Sequence, residues 1–76
     1  MKTKMIKLTA ITDVQELVRI VTNFNGEVDL CSGRYTVDAK SIMGIFSLDL
    51  SKPIEVVVAE GSDADALFAS LEKFSA

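Results

Sequence analysis

The amino-acid sequence predicts an α+β fold, a sandwich whose sheet is covered by helices on one face and open on the other. Segments that alternate polar and apolar residues, typical of half-buried strands, are interleaved with segments of helical periodicity in the order β-α-β-β-α-β-α. Two of the strands follow each other directly across a short turn and predict a hairpin. The helices suffice for only one face of the sheet, so the other face should remain open to solvent.

The first strand is predicted over residues 4–9, where charged or polar residues alternate with Ile6 and Leu8. A helix is expected to follow immediately. Thr12 is a good N-cap residue, and Gln15, three positions later, could complete a capping box. The sequence therefore predicts that the first helix is capped by Thr12.

The body of the first helix is the best-supported element, because its apolar residues fall on one stripe. These residues are Val14, Leu17, Val18, Val21 and Phe24. Asn25-Gly26 should end the helix. Residues 27–31 and 34–38 then alternate again on either side of Ser32-Gly33, and they predict the hairpin. Cys31 falls on the open face, which we also expect to carry Val57 and Tyr35.

The second half of the chain predicts a short helix, a strand and a final helix. Residues 41–48 are apolar with Ser41 as a candidate N-cap, which favours a helix of one or two turns. Residues 54–59 are β-branched and strand-like, and Glu60-Gly61 should end that strand. A second cap pattern at residues 62–65 begins the last helix. Its apolar side consists of Leu67, Phe68, Leu71 and Phe74.

Length and composition restrict the chemistry that such a fold can support. A chain of 76 residues is expected to form one domain, residues 1–76, that buries roughly 60% of its unfolded surface and has no room for a deep cleft. The chain contains no histidine, which excludes Ser-His-Asp and Cys-His pairs, imidazole metal ligands and phosphohistidine. Neither a catalytic residue nor a metal or cofactor site is predicted.

Charge and hydropathy point to a cytoplasmic protein. Eight basic and eleven acidic residues give a net charge of -3 without a basic cluster, so nucleic acid is not an expected partner. The mean hydropathy is +0.32, but every apolar run is far shorter than the ~20 residues of a membrane-spanning helix. Residues 1–7 lack the apolar stretch of a signal peptide, and lone Cys31 suits a reducing compartment.

Residues 40–48, Lys-Ser-Ile-Met-Gly-Ile-Phe-Ser-Leu, resemble the regulatory-serine region of the HPr phosphocarrier family of the bacterial sugar phosphotransferase system. The hairpin, the strand at residues 54–59 and the order of the elements follow the same family, so the resemblance covers nearly the whole chain. It implies an HPr-like open-faced β-sandwich with a four-stranded antiparallel sheet and helices on one face.

The chain departs from the family in the loop between the first strand and the first helix. In the family this loop carries the phosphate-accepting histidine, followed closely by an arginine and a proline. Here residues 7–10 match the end of the strand, and Ile11-Thr12-Asp13 leads directly into the helix. No catalytic residue can be transferred from the family to this chain.

The resemblance implies two functions for the short helix. Ser41 corresponds to a serine that a dedicated kinase phosphorylates, although an ordinary N-cap would also explain a serine at this position. Ile42, Met43 and Phe46 correspond to an exposed apolar surface that contacts enzyme I, the kinase and transcriptional regulators. The alternative for these three residues is core packing. Ile45 and Leu48 compete for the inward side of the helix, which favours an outward position for the other three.

The leading hypothesis is a non-catalytic regulatory or protein-interaction module that contacts an enzyme I-like protein, a kinase or a regulator, as a monomer or weak dimer. The alternative is a diverged phosphocarrier that still transfers phosphoryl groups through Asp13, Thr12 or a partner's residues. A third possibility retains only the fold and uses it for self-association. Free N–H groups that converge on an anion between Ala10 and Asp13 would favour transfer, whereas a closed helix cap there would favour the binding module.

Overall fold

The order of secondary-structure elements is the predicted one. A computed structural model describes residues 2–59 and 63–76, so the predicted break at Glu60-Gly61 lies outside the described residues. The elements are β1 (Lys2–Ile6), α1 (Ile11–Thr22), β2 (Val28–Ser32), β3 (Tyr35–Asp38), α2 (Ile42–Phe46), β4 (Ile54–Val58), α3 (Ala64–Ser70) and a closing 3-10 turn (Glu72–Phe74).

The four strands form one antiparallel sheet in the order β1-β4-β2-β3. Strand β4 lies inside the sheet and alternates strictly, because Ile54, Val56 and Val58 are buried whereas Glu55 and Val57 are only half-buried. The inward residues of β2, Val28 and Leu30, face the same side. The predicted fold class is therefore confirmed.

The core lies between this inward face and the helices. Helix α1 contributes its stripe of buried residues, and α3 with the 3-10 turn supplies a second apolar side. The buried residues from these elements are Val14, Leu17, Val21, Ala64, Leu67, Leu71 and Phe74. Helix α2 inserts Ile45 beside them. No helix among the described residues is long and apolar enough to cross a membrane.

The hairpin differs from the prediction in its turn. Ser32 pairs with Tyr35, so the turn consists of Gly33 and Arg34 rather than Ser32 and Gly33. Gly33 has a φ of 60°, which a type II′ turn requires at its first central residue and which glycine adopts without strain.

Tyr35 lies on the helix-covered face, which corrects its expected position on the open face. Residues directly opposite each other in an antiparallel pair share a face, and Leu30 pairs with Val37. Tyr35 is two residues from Val37 and therefore points to the same side. Its ring is still 71% exposed, because it stands at the end of the edge strand β3.

The C-terminal residues form main-chain contacts with the end of β1. Ser75 forms a β-bridge with Ile6, and the main-chain N–H of Ala76 donates to the carbonyl of Met5 at 3.3 Å. Among the described residues, three ion pairs at the surface accompany this contact, and each links β1 or α1 to α3 or to the residues after it. They are Lys2–Asp65, Lys4–Glu72 and Lys73–Glu16. Exposed pairs of this kind stabilise a fold only slightly.

Candidate functional site

The loop between β1 and α1 is closed by the side chain of Asp13. Its Oδ2 atom accepts hydrogen bonds from the Thr9 main-chain N–H at 3.0 Å, the Thr9 hydroxyl at 2.9 Å and the Ala10 main-chain N–H at 3.2 Å. The hydrogen bond from the Thr9 main chain, followed by that from the Thr9 hydroxyl, lowers the pKa of Asp13 below its ordinary value. The carboxylate is therefore charged at neutral pH.

The predicted capping box of Thr12 and Gln15 is wrong. Helix α1 begins at Ile11 with Ala10 as the N-cap, so Thr12 is already inside the first turn, where its hydroxyl cannot cap the helix. The side chain of Asp13, at the third helical position, forms one of the two hydrogen bonds of a capping box. It accepts this bond from the main-chain N–H of Ala10, the N-cap residue. The cap at Ala10 to Asp13 is thus closed by the chain itself.

A groove of about 390 Å³ lies beside this loop, between the start of α1 and the segment that follows α2. We call it the Ile11 groove. Its lining consists of Lys7, Leu8, Thr9, Ala10, Ile11, Val14, Phe46, Leu50 and Ser51. The Lys7 ammonium spans one end, where it donates to the carbonyls of Leu50 at 3.1 Å and Ser51 at 2.5 Å.

Ser41 occupies the N-cap of α2. Its Oγ accepts a hydrogen bond from the Gly44 main-chain N–H at 3.2 Å. Such a cap stabilises a helix by about 1 kcal/mol relative to alanine. Ser41 is exposed, so its hydroxyl is within reach of a modifying enzyme. The neighbouring Lys40 is exposed as well, with its Nζ 3.4 Å from the carbonyl oxygen of Phe24.

The apolar residues of α2 divide between the core and the surface. Ile45 and Leu48 are buried, whereas Ile42, Met43 and Phe46 are 36%, 80% and 44% exposed. We call these three residues the α2 patch. Phe46 belongs both to the patch and to the Ile11 groove, so the two surfaces are continuous.

Ile11 is the surface residue that the sequence prediction missed. It is the first residue of α1 and is 64% exposed, although its side chain is apolar. The missed signal is its spacing: Ile11 lies three residues before Val14 and extends the apolar stripe of α1 by almost one turn beyond the buried core. It therefore projects at the tip of the helix, beside the groove.

Comparisons with known proteins agree with this geometry. The family model for the PTS HPr component phosphorylation site matches residues 13–76, so the match begins at Asp13, within the first turn of α1. The crystal structure of HPr-C-His from Thermoanaerobacter tengcongensis has a TM-score of 0.80 at 25% identity, over 96% of this chain and 89% of that one. The phosphocarrier protein HPr from Bacillus anthracis str. Ames has a TM-score of 0.74 at 27% identity, over 99% and 94%.

A family match over most of the chain and two solved HPr structures with the same fold lead to one assignment. The chain belongs to the HPr family of the phosphotransferase system, a family of phosphocarriers that work through contacts with other proteins of that system.

Proposed function

We propose that this chain is an HPr-family module without the phosphate-accepting histidine, and that it acts by binding proteins rather than by carrying phosphate. One observation carries the proposal. In a chain without histidine, the Asp13 carboxylate accepts hydrogen bonds from the main-chain N–H groups of Thr9 and Ala10 at the tip of α1. A charged carboxylate in that position also repels an incoming phosphate.

The residues near this tip are poorly suited to replace a histidine. A phosphocarrier needs a nucleophile whose phosphorylated form is labile enough to pass the group on, and a threonine ester at Thr9 or Thr12 is too stable. An acyl phosphate on Asp13 would need a cation beside it. Lys7, which lines the adjacent groove, already donates to two main-chain carbonyls. These points favour the binding module over the diverged phosphocarrier.

The α2 patch is the proposed contact surface for an enzyme I-like protein, a kinase or a regulator. Two of its three side chains, Met43 and Phe46, are large and clearly exposed, and an apolar surface of this kind commonly marks a protein contact. The cytoplasm is the proposed compartment, and the free chain is proposed to be a monomer or a weak dimer.

Ser41 is the proposed switch of this contact. A phosphate on its hydroxyl would add a charge of about -1.5 to -2 directly beside Ile42. An apolar surface would then acquire an anionic edge, which changes the partners that it can accept. Lys40, next in the chain, offers a countercharge.

The labelling test uses enzyme I and radiolabelled phosphoenolpyruvate, with the Bacillus anthracis phosphocarrier HPr as the positive control. We expect label on the control and none on this chain. Acid-labile label on this chain would contradict the proposal and support the diverged phosphocarrier.

The contact surface is tested with a matched pair of methionine variants. Met43→Asp places a charge in the α2 patch, and Met5→Asp places one on the exposed open face of the sheet, with Met5 46% exposed. If the patch binds enzyme I or HPr kinase in a pull-down with purified proteins, Met43→Asp should abolish binding and Met5→Asp should leave it intact. Incubation with the kinase and ATP should phosphorylate the wild type but not Ser41→Ala.

A further inference from the structure

We propose that the Ile11 groove is a socket for one uncharged apolar side chain of the partner protein, such as leucine or methionine, and that it does not accept a phosphorylated or acidic group. The inference rests on the proposed function, because it assumes that a protein partner covers the adjoining α2 patch. It adds a second contact point on α1 and specifies the chemistry of the partner residue that enters it.

Several polar groups around the groove are already engaged inside the chain. Lys7 donates to the carbonyls of Leu50 and Ser51, and the N–H groups of Thr9 and Ala10 donate to Asp13. The Ser51 hydroxyl donates to Asp49, at 2.5 Å. A charged ligand entering the groove would lose its hydration without finding these donors free, which costs free energy.

The remaining wall is apolar and accessible. Leu8 and Val14 are buried, Leu50 is half-buried, and Ile11 and Phe46 line the groove with 64% and 44% of their surface exposed. A side chain that contacts Ile11 and Phe46 in the groove would remove apolar surface of both residues from water. Each buried methylene group contributes about 0.8 kcal/mol to such a contact.

The size of the surface argues for a transient partner rather than a second copy of the chain. The exposed parts of Ile11, Ile42, Met43 and Phe46 together amount to roughly 400 Å², if a large apolar side chain has about 150–250 Å². A stable complex buries about 800 Å² on each partner. The groove and patch are therefore about half of what a stable homodimer needs, whereas weak and transient contacts are of this smaller size.

Titration of isotope-labelled protein with N-acetyl-leucine amide, followed by NMR, tests the groove directly. We expect saturable shifts of the main-chain amides of Leu8, Ile11, Val14, Phe46 and Leu50 at millimolar probe. Ile11→Ser should weaken the apparent affinity about tenfold, whereas Met5→Ser, on the open face of the sheet, should leave it unchanged. Inorganic phosphate should produce no shift at Thr9 or Ala10.

The inference would be overturned by the absence of a saturable shift in the groove, by shifts that survive Ile11→Ser unchanged, or by phosphate shifts at Thr9 and Ala10. Concentration-dependent shifts at Ile11 and Phe46 without any probe would also overturn it, because they identify a second copy as the occupant. The proposed function is tested separately by the enzyme I labelling and by Met43→Asp. A partner that is lost with Met43→Asp but retained with Ile11→Ser would sustain that function and reject the groove.

Discussion

Asp13 and Thr9 are joined by two hydrogen bonds to a single carboxylate oxygen, one from the Thr9 main-chain N–H and one from its hydroxyl, at 3.0 and 2.9 Å. This pair makes a small ring at the tip of α1. It fixes the conformation of the chain at the start of the helix. It also provides an acceptor for the Thr9 main-chain N–H, which would otherwise face solvent.

Asp13→Ala should destabilise the fold, because it leaves the N–H groups of Thr9 and Ala10 without their acceptor. We expect the melting temperature to fall by a few degrees, as loss of a helix cap does in a small domain. The matched control is Thr12→Ala, next to it in the same turn, which should have little effect. Thermal unfolding followed by circular dichroism measures both, and an equal loss in the two variants would refute the assignment of the cap.

Acid should weaken the fold through three carboxyl groups. A hydrogen bond is the largest cause of the lowered pKa in each of them. The donor is the Thr9 main-chain N–H for Asp13, the Ser51 hydroxyl for Asp49 and the Lys4 ammonium for Glu72. A pKa that is lower in the folded state gives stability that is fully present above the unfolded pKa, about 4, and is lost as the pH falls through the folded value.

We therefore expect the urea midpoint to be nearly constant from pH 7 to about 5 and to decrease steadily below about pH 4. Asp13→Asn removes one of these titrating groups, so its midpoint should depend less steeply on pH in the acid range. A slope identical to that of the wild type would show that the Asp13 hydrogen bonds do not contribute to acid sensitivity.

Gly44→Ala should reduce stability despite the higher helix propensity of alanine. A Cβ at this position would lie 3.2 Å from the Val37 Cβ and 3.3 Å from the Ser41 Oγ, closer than most Cβ contacts, so these neighbours would have to shift. We expect this crowding to exceed the propensity gain of up to about 1 kcal/mol. Val37→Gly removes the Cβ that causes the crowding, so the change at Gly44 should cost less in the Val37→Gly background. Additive effects in this double-mutant cycle would exclude the predicted contact.

Leu30 and Cys31 form a matched pair on opposite faces of β2. Leu30 is fully buried, and Leu30→Ala should cost about 2–5 kcal/mol of unfolding free energy in urea titrations. Cys31 is half-buried on the open face beside Thr36, and Cys31→Ala should change stability by less than about 0.5 kcal/mol. A large loss at Cys31 would mean that the open face is packed against something in solution.

Alternation and helical spacing predicted the order of elements and the inward residues, because burial depends on side-chain periodicity that can be counted in the sequence. Ser41 was also correctly predicted as the N-cap of α2. The cap of α1 was not, because its N-cap is Ala10, whose side chain cannot cap, and the exposed N–H group of Ala10 is satisfied by Asp13 at the third helical position. The first residue of the helix depends on where β1 ends, which propensity does not determine.

The hairpin turn was missed for a different reason. Moving the turn from Ser32-Gly33 to Gly33-Arg34 changes the partner of Leu30 from Tyr35 to Val37. A shift of two residues leaves every side chain on the same face, so the apolar pattern fits both registers equally well. Only the closing geometry of the turn distinguishes them.

The exposure of Ile11 was not predicted, because apolar spacing does not show where a helix extends beyond the edge of the sheet.

Tyr35 has a practical consequence for experiments on this molecule. The chain has no tryptophan and one tyrosine, so its near-ultraviolet absorbance and intrinsic fluorescence come mainly from this one ring. Because the ring is 71% exposed in the folded state, unfolding should change its emission little. Gly44 of α2 lies beside Val37, two residues along β3 from Tyr35, so a partner that covers both α2 and this strand would change the surroundings of the ring. Its fluorescence should therefore be a label-free signal for docking and a poor signal for unfolding.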